Sequence, residues 1–186
     1  MAIVNDTTLV PVRNMVNHRV VYTIPEEHKR VIFEAFQERK IPAHELRALN
    51  YTVGGSILIK NYLCVKSKDM RAEFNIPSDQ IEYDWTKQDI QHVLLSNNSP
   101  IEQLEDALDF APQGIREMIV DYAVEWKIPD SNRRKVISKM MNVNIDEMIK
   151  FAEMMEEEND TTPQQNIRRR LSNKPVPSRS GRRLQY

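Results

Sequence analysis

Two short runs of β-branched and aromatic residues near the start of the chain predict a β-hairpin. The first run covers residues 19–24 and stops at a proline, and the second covers residues 30–36. A short polar segment separates them, as a hairpin requires. Residues 9–12 predict one more strand. Pro11 assigns that strand to an edge of the sheet, because proline cannot donate a hydrogen bond in a central strand.

Helical spacing of apolar residues begins after this hairpin. Residues 42–49 predict a helix that opens with proline, and Glu45 complements the positive end of its dipole. Residues 57–63 carry apolar side chains at i, i+1, i+4 and i+5, which favours a helix over a strand. Ser67 predicts the N-cap of a further short helix over residues 68–74.

The next part of the chain, residues 77–158, predicts five amphipathic helices. Thr86 followed three residues later by an acid is a variant of the capping box, and Ser99-Pro100 and Pro112 mark two more helix starts. The clearest apolar stripe follows Pro112. Its members are Ile115, Met118, Ile119, Tyr122, Ala123 and Trp126.

These patterns predict an α+β protein in three parts. A small N-terminal β-hairpin and helix domain covers residues 1–76, and an all-α helical bundle covers residues 77–158. Residues 159–186 predict an extended or disordered C-terminal arm, because they contain too few large apolar residues to offset the entropy of ordering. Residues 76–79 are predicted to be the linker between the two folded parts.

The distribution of charge supports the same division. The 186-residue chain has a formal net charge of -1, yet residues 77–160 hold 8 Lys or Arg against 19 Asp or Glu. Residues 161–186 hold 7 Lys or Arg and no acid. Such segregation between segments is typical of chains with interaction tails.

Several classes of protein are not supported by this sequence. No apolar run reaches the roughly 20 residues of a membrane-spanning helix, so no membrane partner is expected, and the N-terminus does not resemble a secretory signal. The single cysteine, Cys64, cannot form an intrachain disulfide, and its apolar neighbours predict a small buried side chain rather than a nucleophile. A reducing compartment is the simplest inference.

Candidate catalytic and metal-binding groups are sparse. The four glycines do not form a phosphate-binding loop, and no Gly-x-Ser-x-Gly elbow is present. The four histidines, His18, His28, His44 and His92, do not form an i, i+3 or i+4 pair that would bind a metal from one helix. We therefore predict no catalytic, cofactor-binding or metal-binding residue, no cofactor and no enzymatic activity.

Two further features are each weighed against a simpler interpretation. Four acids on one helix could form a catalytic or metal site, but they lie opposite its apolar face, so a solvated surface is predicted. They are Glu102, Glu105, Asp106 and Asp109. Residues 133–158 resemble a helix-turn-helix in outline. Their second helix is rich in acids that would repel DNA, so a plain helical corner is favoured.

The basic tail is the most distinctive candidate binding element. Its predicted partner-binding residues are Arg168, Arg169, Arg170, Lys174, Arg179, Arg182 and Arg183. Three interpretations remain open. The tail could pair with an acidic protein groove, including the acidic middle of a neighbouring copy. It could bind nucleic acid through phosphates, although it lacks interleaved aromatic residues for base stacking. It could also have no binding partner and only keep the protein soluble.

Several segments together resemble a family of virion-associated proteins encoded beside structural genes in tailed bacteriophages. The segments are RVVYTIP (residues 19–25), RVIF (30–33), KIPAHELRAL (40–49), GG (54–55), KNYL (60–63) and LEDALDFAPQGI (104–115). The resemblance covers roughly residues 10–150 and excludes the tail. It implies a virion or assembly protein located in the virion, and in the host cytoplasm during assembly, and it carries over no functional residue.

Taken together, these inferences predict a non-enzymatic phage virion structural or assembly protein. It is expected to bind capsid, portal or tail subunits, with its basic C-terminal arm docking on a neighbouring subunit, and to form a homo-oligomer. The alternative is a nucleic-acid-binding or transcription-modulating phage factor that uses the same tail, with packaged nucleic acid as its partner.

Overall fold

The fold was obtained as a computed structural model that describes residues 4–25, 28–77 and 79–161. The strands are β1 (Leu9–Asn14), β2 (Val20–Ile24), β3 (Lys29–Phe33), β4 (Glu38–Pro42) and β5 (Leu63–Val65). The helices are α1 (Ala43–Tyr51), α2 (Gly55–Asn61), α3 (Lys68–Glu73), α4 (Asp79–Glu82), α5 (Lys87–Leu95), α6 (Ile101–Phe110), α7 (Gln113–Glu125), α8 (Ser131–Met141) and α9 (Ile145–Thr161).

The protein has an α+β fold. Its strands lie within residues 9–65, where α1 and α2 separate β4 from β5, and the helices α3 to α9 follow. β2 and β3 form the predicted hairpin, in antiparallel register with Val20 opposite Phe33 and Ile24 opposite Lys29. Alternation along β2 places Val20, Tyr22 and Ile24 in the core. A second sheet has the strand order β4-β1-β5, and both of its pairings are antiparallel.

The predicted edge position of β1 is wrong, because β1 is the central strand of the second sheet. Pro11 is tolerated there because the pairing with β5 covers only Val12–Asn14. The carbonyl of Pro11 accepts a hydrogen bond from the Lys66 amide at 3.0 Å, just beyond the end of β5. The backbone nitrogen of a residue in a strand points to the same side as its carbonyl. The missing N–H therefore faces a position where the ladder has already ended.

Two strands were not predicted from the sequence. β4 presents exposed charged side chains at Glu38, Arg39 and Lys40, so it does not show the alternation of a half-buried strand. The helix predicted over residues 57–63 is correct only as far as Asn61, where α2 ends. The chain then enters β5, which has three residues and is too short to leave a pattern.

The five helices predicted after residue 77 are confirmed as α5 to α9. The capping box is present: the Thr86 side chain accepts from the amide of Asp89, whose carboxylate accepts from the Thr86 amide. Asp130 caps α8 by accepting from the amides of Asn132 and Arg133. α4 begins at Asp79, the last residue of the predicted linker.

The chain divides into two compact units, Met1–Ile149 and Lys150–Tyr186. The first unit extends across the predicted domain boundary at residue 77. One cluster of buried apolar side chains runs through it, from Val10 in β1 to Ile145 at the start of α9. In the second unit, α9 continues to Thr161, which is three residues into the predicted tail.

Gln80 joins segments of the chain on either side of residue 77. The residue is 2% exposed, and its side-chain amide donates to the carbonyls of Ile59 and Leu63, both at 2.8 Å. Its side-chain oxygen accepts from the Val65 amide at 3.2 Å. One residue of α4 therefore satisfies backbone groups at the end of α2 and along β5, where an unpaired polar group would be costly.

Candidate functional site

The strongest candidate site is a groove between α6 and α8, which we call the acidic groove. Its volume is about 490 Å³. Its lining consists of four carboxylates, one ammonium group and three apolar side chains. These residues are Glu102, Glu105, Asp106, Asp109, Lys139, Phe110, Val136 and Met140.

The amphipathic pattern of α6 puts its carboxylates on this groove. Leu104, Ala107 and Leu108 are buried in the core. The four acids lie one or two positions away from these residues in the sequence, so they fall on the outer side of the helix. The exposure that the sequence predicted for these acids is confirmed. Phe110, at the end of the same helix, is 60% exposed. Phe110 was not among the candidate residues predicted from the sequence. Its position directly after Asp109 is the sequence signal that could have indicated it.

Arg133 holds α8 in place as the second wall of the groove. Its guanidinium is buried and donates to the carbonyls of Ser96 and Ser99, at 2.9 Å and 2.6 Å. It also lies 3.1 Å from the carboxylate of Asp130 at the start of α8. The two bonds to carbonyls therefore tie the start of α8 to the loop before α6. Arg133 acts within the fold and does not contribute to a basic surface.

The four carboxylates of the groove are not equivalent. Asp106 accepts a hydrogen bond from the hydroxyl of Tyr83, a buried side chain that packs edge-on against Trp85. Within the described part of the chain, no ion pair or hydrogen bond holds the side chains of Glu102, Glu105 or Asp109. These three acids therefore remain available to a ligand.

The chemistry of the acidic groove fits the recognition of cations on a peptide. Lys139 offsets one of its four carboxylates, which leaves an excess of negative charge. Arginine side chains bind carboxylates in bidentate geometry. In the ranges that the structure describes, no group of three or more His, Cys, Asp or Glu is arranged to hold a metal ion.

A second and larger groove, of about 650 Å³, runs between β2 and the turn that joins α1 to α2. We call it the apolar groove. Tyr51 and Val53 border it, and both are almost fully exposed. Among the described residues, its lining contains no Asp, Glu, His, Lys, Arg or Cys. The described lining therefore offers mainly apolar contact to a partner.

Cys64 is buried in β5, as its apolar neighbours predicted. Burial and the nearby Asp84 carboxylate raise the pKa of its thiol to about 11. The thiol donates to the backbone carbonyl of Gln80 at 3.8 Å. A nucleophilic cysteine needs exposure and a lowered pKa. Cys64 is buried and its pKa is raised, so it has neither property.

The partner-binding residues predicted in the tail all lie outside the described residues. They are Arg168, Arg169, Arg170, Lys174, Arg179, Arg182 and Arg183. The four acids of α6 that were considered as a candidate site line one groove with side chains of α8.

None of the helices among the described residues is long and apolar enough to cross a membrane.

Comparisons with models of known protein families, with curated proteins and with solved structures find no match to this chain.

Proposed function

We propose that the protein is a non-enzymatic structural or assembly protein of a tailed-bacteriophage virion. It binds capsid, portal or tail subunits through its folded surface, and its basic C-terminal arm docks on a neighbouring subunit. The observation that supports this proposal most strongly is the acidic groove between α6 and α8, which combines unpaired carboxylates with exposed apolar side chains.

The groove has the composition of a protein-binding surface. Phe110 and Met140 are 60% and 38% exposed, so they offer apolar area to a partner. Aromatic side chains are among the residues that contribute most to binding energy at interfaces. The surrounding carboxylates would steer a basic partner and fix its register. The groove is also built on two helices, whose positions the core and Arg133 hold.

The resemblance of residues 10–150 to virion-associated phage proteins gives the biological context of the proposal. In this proposal the protein resides in the virion, and in the host cytoplasm during assembly. A basic arm suits such a role because an extended segment can cover a large surface and pays its ordering cost only on docking.

The proposal is tested by mass spectrometry of gradient-purified virions. We expect the protein at a fixed ratio to capsid, portal or tail subunits, and chemical cross-linking should join it to one of them. Its absence from virions that contain all other structural proteins would reject the assignment.

A role in nucleic-acid binding is the second candidate, and the seven cations of residues 161–186 favour it because no acid accompanies them. Phosphate contacts would give the affinity a steep dependence on salt. The test is to measure duplex DNA and RNA binding by the full chain across a salt series. A variant with Gln at all seven cationic positions serves as the control. Steep binding that this variant loses would favour the nucleic-acid role.

A further inference from the structure

We propose that the acidic groove binds the C-terminal segment 162–186 of a second copy of the same chain, so that copies associate head to tail. This inference rests on the proposed function, since it names the partner of the same groove. It makes the arm and the groove two halves of one interface.

The acidic groove and the C-terminal segment have complementary charges. The groove presents Glu102, Glu105 and Asp109 without partners in the described structure, and Lys139 is the one cation in its lining. Residues 161–186 supply seven cations and no acid. The formal net charge of the whole chain is only -1. Two strongly and oppositely charged parts in a nearly neutral chain favour association between copies.

Spacing gives a second argument. Glu102, Glu105 and Asp109 follow one another at three and four residues along α6, so each lies about one helical turn, or ~5.4 Å, from the next. In an extended peptide, side chains on one side repeat every second residue, or about 6.6 Å. Alternate cations of Arg168-Arg169-Arg170 can therefore reach successive carboxylates, within the freedom of long arginine side chains.

The apolar part of the groove gives a third argument. Leu171 directly follows the three arginines, and Phe110 and Met140 offer an exposed apolar surface beside the carboxylates. When the arginines pair with the carboxylates, the leucine that follows them can pack against the apolar side chains of the groove. The apolar groove beside β2 offers no carboxylate to the arginines among the described residues of its lining.

The acidic groove, on α6 and α8, and residues 162–186 are different parts of the chain. An interface that uses a different surface on each partner is heterologous, and such contacts produce rings or open filaments. Reciprocal exchange of the segments between two copies closes a two-fold dimer, whereas one-way docking extends the series, so in either case we expect association that grows with concentration.

The test uses sedimentation velocity of the full chain and three full-length variants. The groove variant carries Glu102→Gln, Glu105→Gln and Asp109→Asn. The surface control carries Glu38→Gln, Asp69→Asn and Asp121→Asn, which makes the same change in net charge at exposed positions outside the groove. The tail variant carries Gln at Arg168, Arg169, Arg170, Lys174, Arg179, Arg182 and Arg183.

We expect the wild type and the surface control to associate, with affinity falling about tenfold or more between roughly 50 and 300 mM sodium chloride. The groove variant and the tail variant should each be monomeric. An equimolar mixture of these two variants should form a 1:1 complex, because one supplies an intact tail and the other an intact groove.

Three results would overturn the inference. They are a wild type that stays monomeric at all concentrations, oligomers that both variants retain, and a mixture of the two variants that forms no complex. A monomeric wild type that binds duplex DNA would assign the tail to phosphate instead. Detection of the protein in virions is measured separately, so the inference can fail while the proposed function holds.

Discussion

Carboxylates in two regions of the protein are used in different ways. Beside β1, Asp84 lies between two cations, with Arg13 at 2.9 Å on one side and Lys66 on the other. Its side chain is only 9% exposed. In the acidic groove, Glu102 and Asp109 are exposed and lack partners among the described residues.

This difference separates charge that stabilises the fold from charge that is available for binding. A buried carboxylate with two cationic partners is already neutralised and cannot recognise a ligand without breaking the fold. Exposed carboxylates on a helix contribute little to the stability of the fold. Their main energetic effect is therefore on the binding of a partner. Substitution of Asp84 should therefore lower stability, whereas substitution of the acids in the groove should weaken binding and leave stability nearly unchanged.

The largest expected effect on stability is that of Asp84→Asn. This change leaves Arg13, which is 14% exposed, without its ionic partner, so the free energy of unfolding should fall by about 3 kcal/mol. Urea unfolding at pH 7 measures it. Glu82→Gln, an exposed change two residues away, is the matched control and should alter stability by less than about 0.5 kcal/mol. Equal effects of the two changes would contradict the distinction between the regions.

Arg133→Met should come next, with a loss of about 2 kcal/mol, because the carbonyls of Ser96 and Ser99 lose their donor. It should also weaken binding in the acidic groove, since α8 would lose its anchor to the loop before α6. Thermal unfolding and sedimentation velocity measure the two effects. Lys135→Met, an exposed change on the same helix, should leave both unchanged. An Arg133→Met protein with normal stability would show that α8 is held in another way.

A smaller, pH-dependent effect is expected at Glu73. The hydrogen bond from Arg47 lowers the pKa of this carboxyl below its ordinary value of 4.5, and the pair is partly exposed. The pair therefore stabilises the fold above that ordinary pKa, and the contribution is lost as the pH falls through the lowered one. Glu73→Gln should cost about 0.5–1 kcal/mol at pH 7. The difference from wild type should disappear in acid, as urea unfolding at several pH values would show. A difference that grows in acid would have the wrong sign.

The smallest effect on stability should come from the groove variant, whose three acids have no partner to lose. Its free energy of unfolding at pH 7 should remain within about 0.5 kcal/mol of wild type. Its self-association, in contrast, should be lost. A groove variant that unfolds much more easily would show that these carboxylates support the fold, and the comparison between the regions would fail.

The helical part of the fold could be predicted from the sequence because its signals are local. The capping box at Thr86, the proline before α6 and the aspartate at position 130 each mark a helix start within a few residues. The hairpin of β2 and β3 also follows from neighbouring segments. The alternating pattern of β2 can be read without knowledge of any distant contact.

The second sheet and the acidic groove could not be predicted in the same way, because both depend on distant segments. β1 pairs with β5 across about fifty residues, and Pro11 is acceptable in a central strand only because β5 ends where it does. The exposure of the α6 acids follows from local spacing. Their position opposite Met140 depends on Arg133, which contacts backbone more than thirty residues away.

The most direct test of the central claim is photo-cross-linking from within the two grooves. Phe110 in the acidic groove, or Tyr51 in the apolar groove, is replaced by benzoylphenylalanine in the full chain. Labelled and unlabelled copies are mixed, so that the mass of each cross-linked peptide pair shows whether two copies contributed. We predict that position 110 forms adducts with residues 162–186 of another copy and that position 51 does not. Adducts from position 51 alone, or from position 110 only to other parts of the chain, would contradict the account.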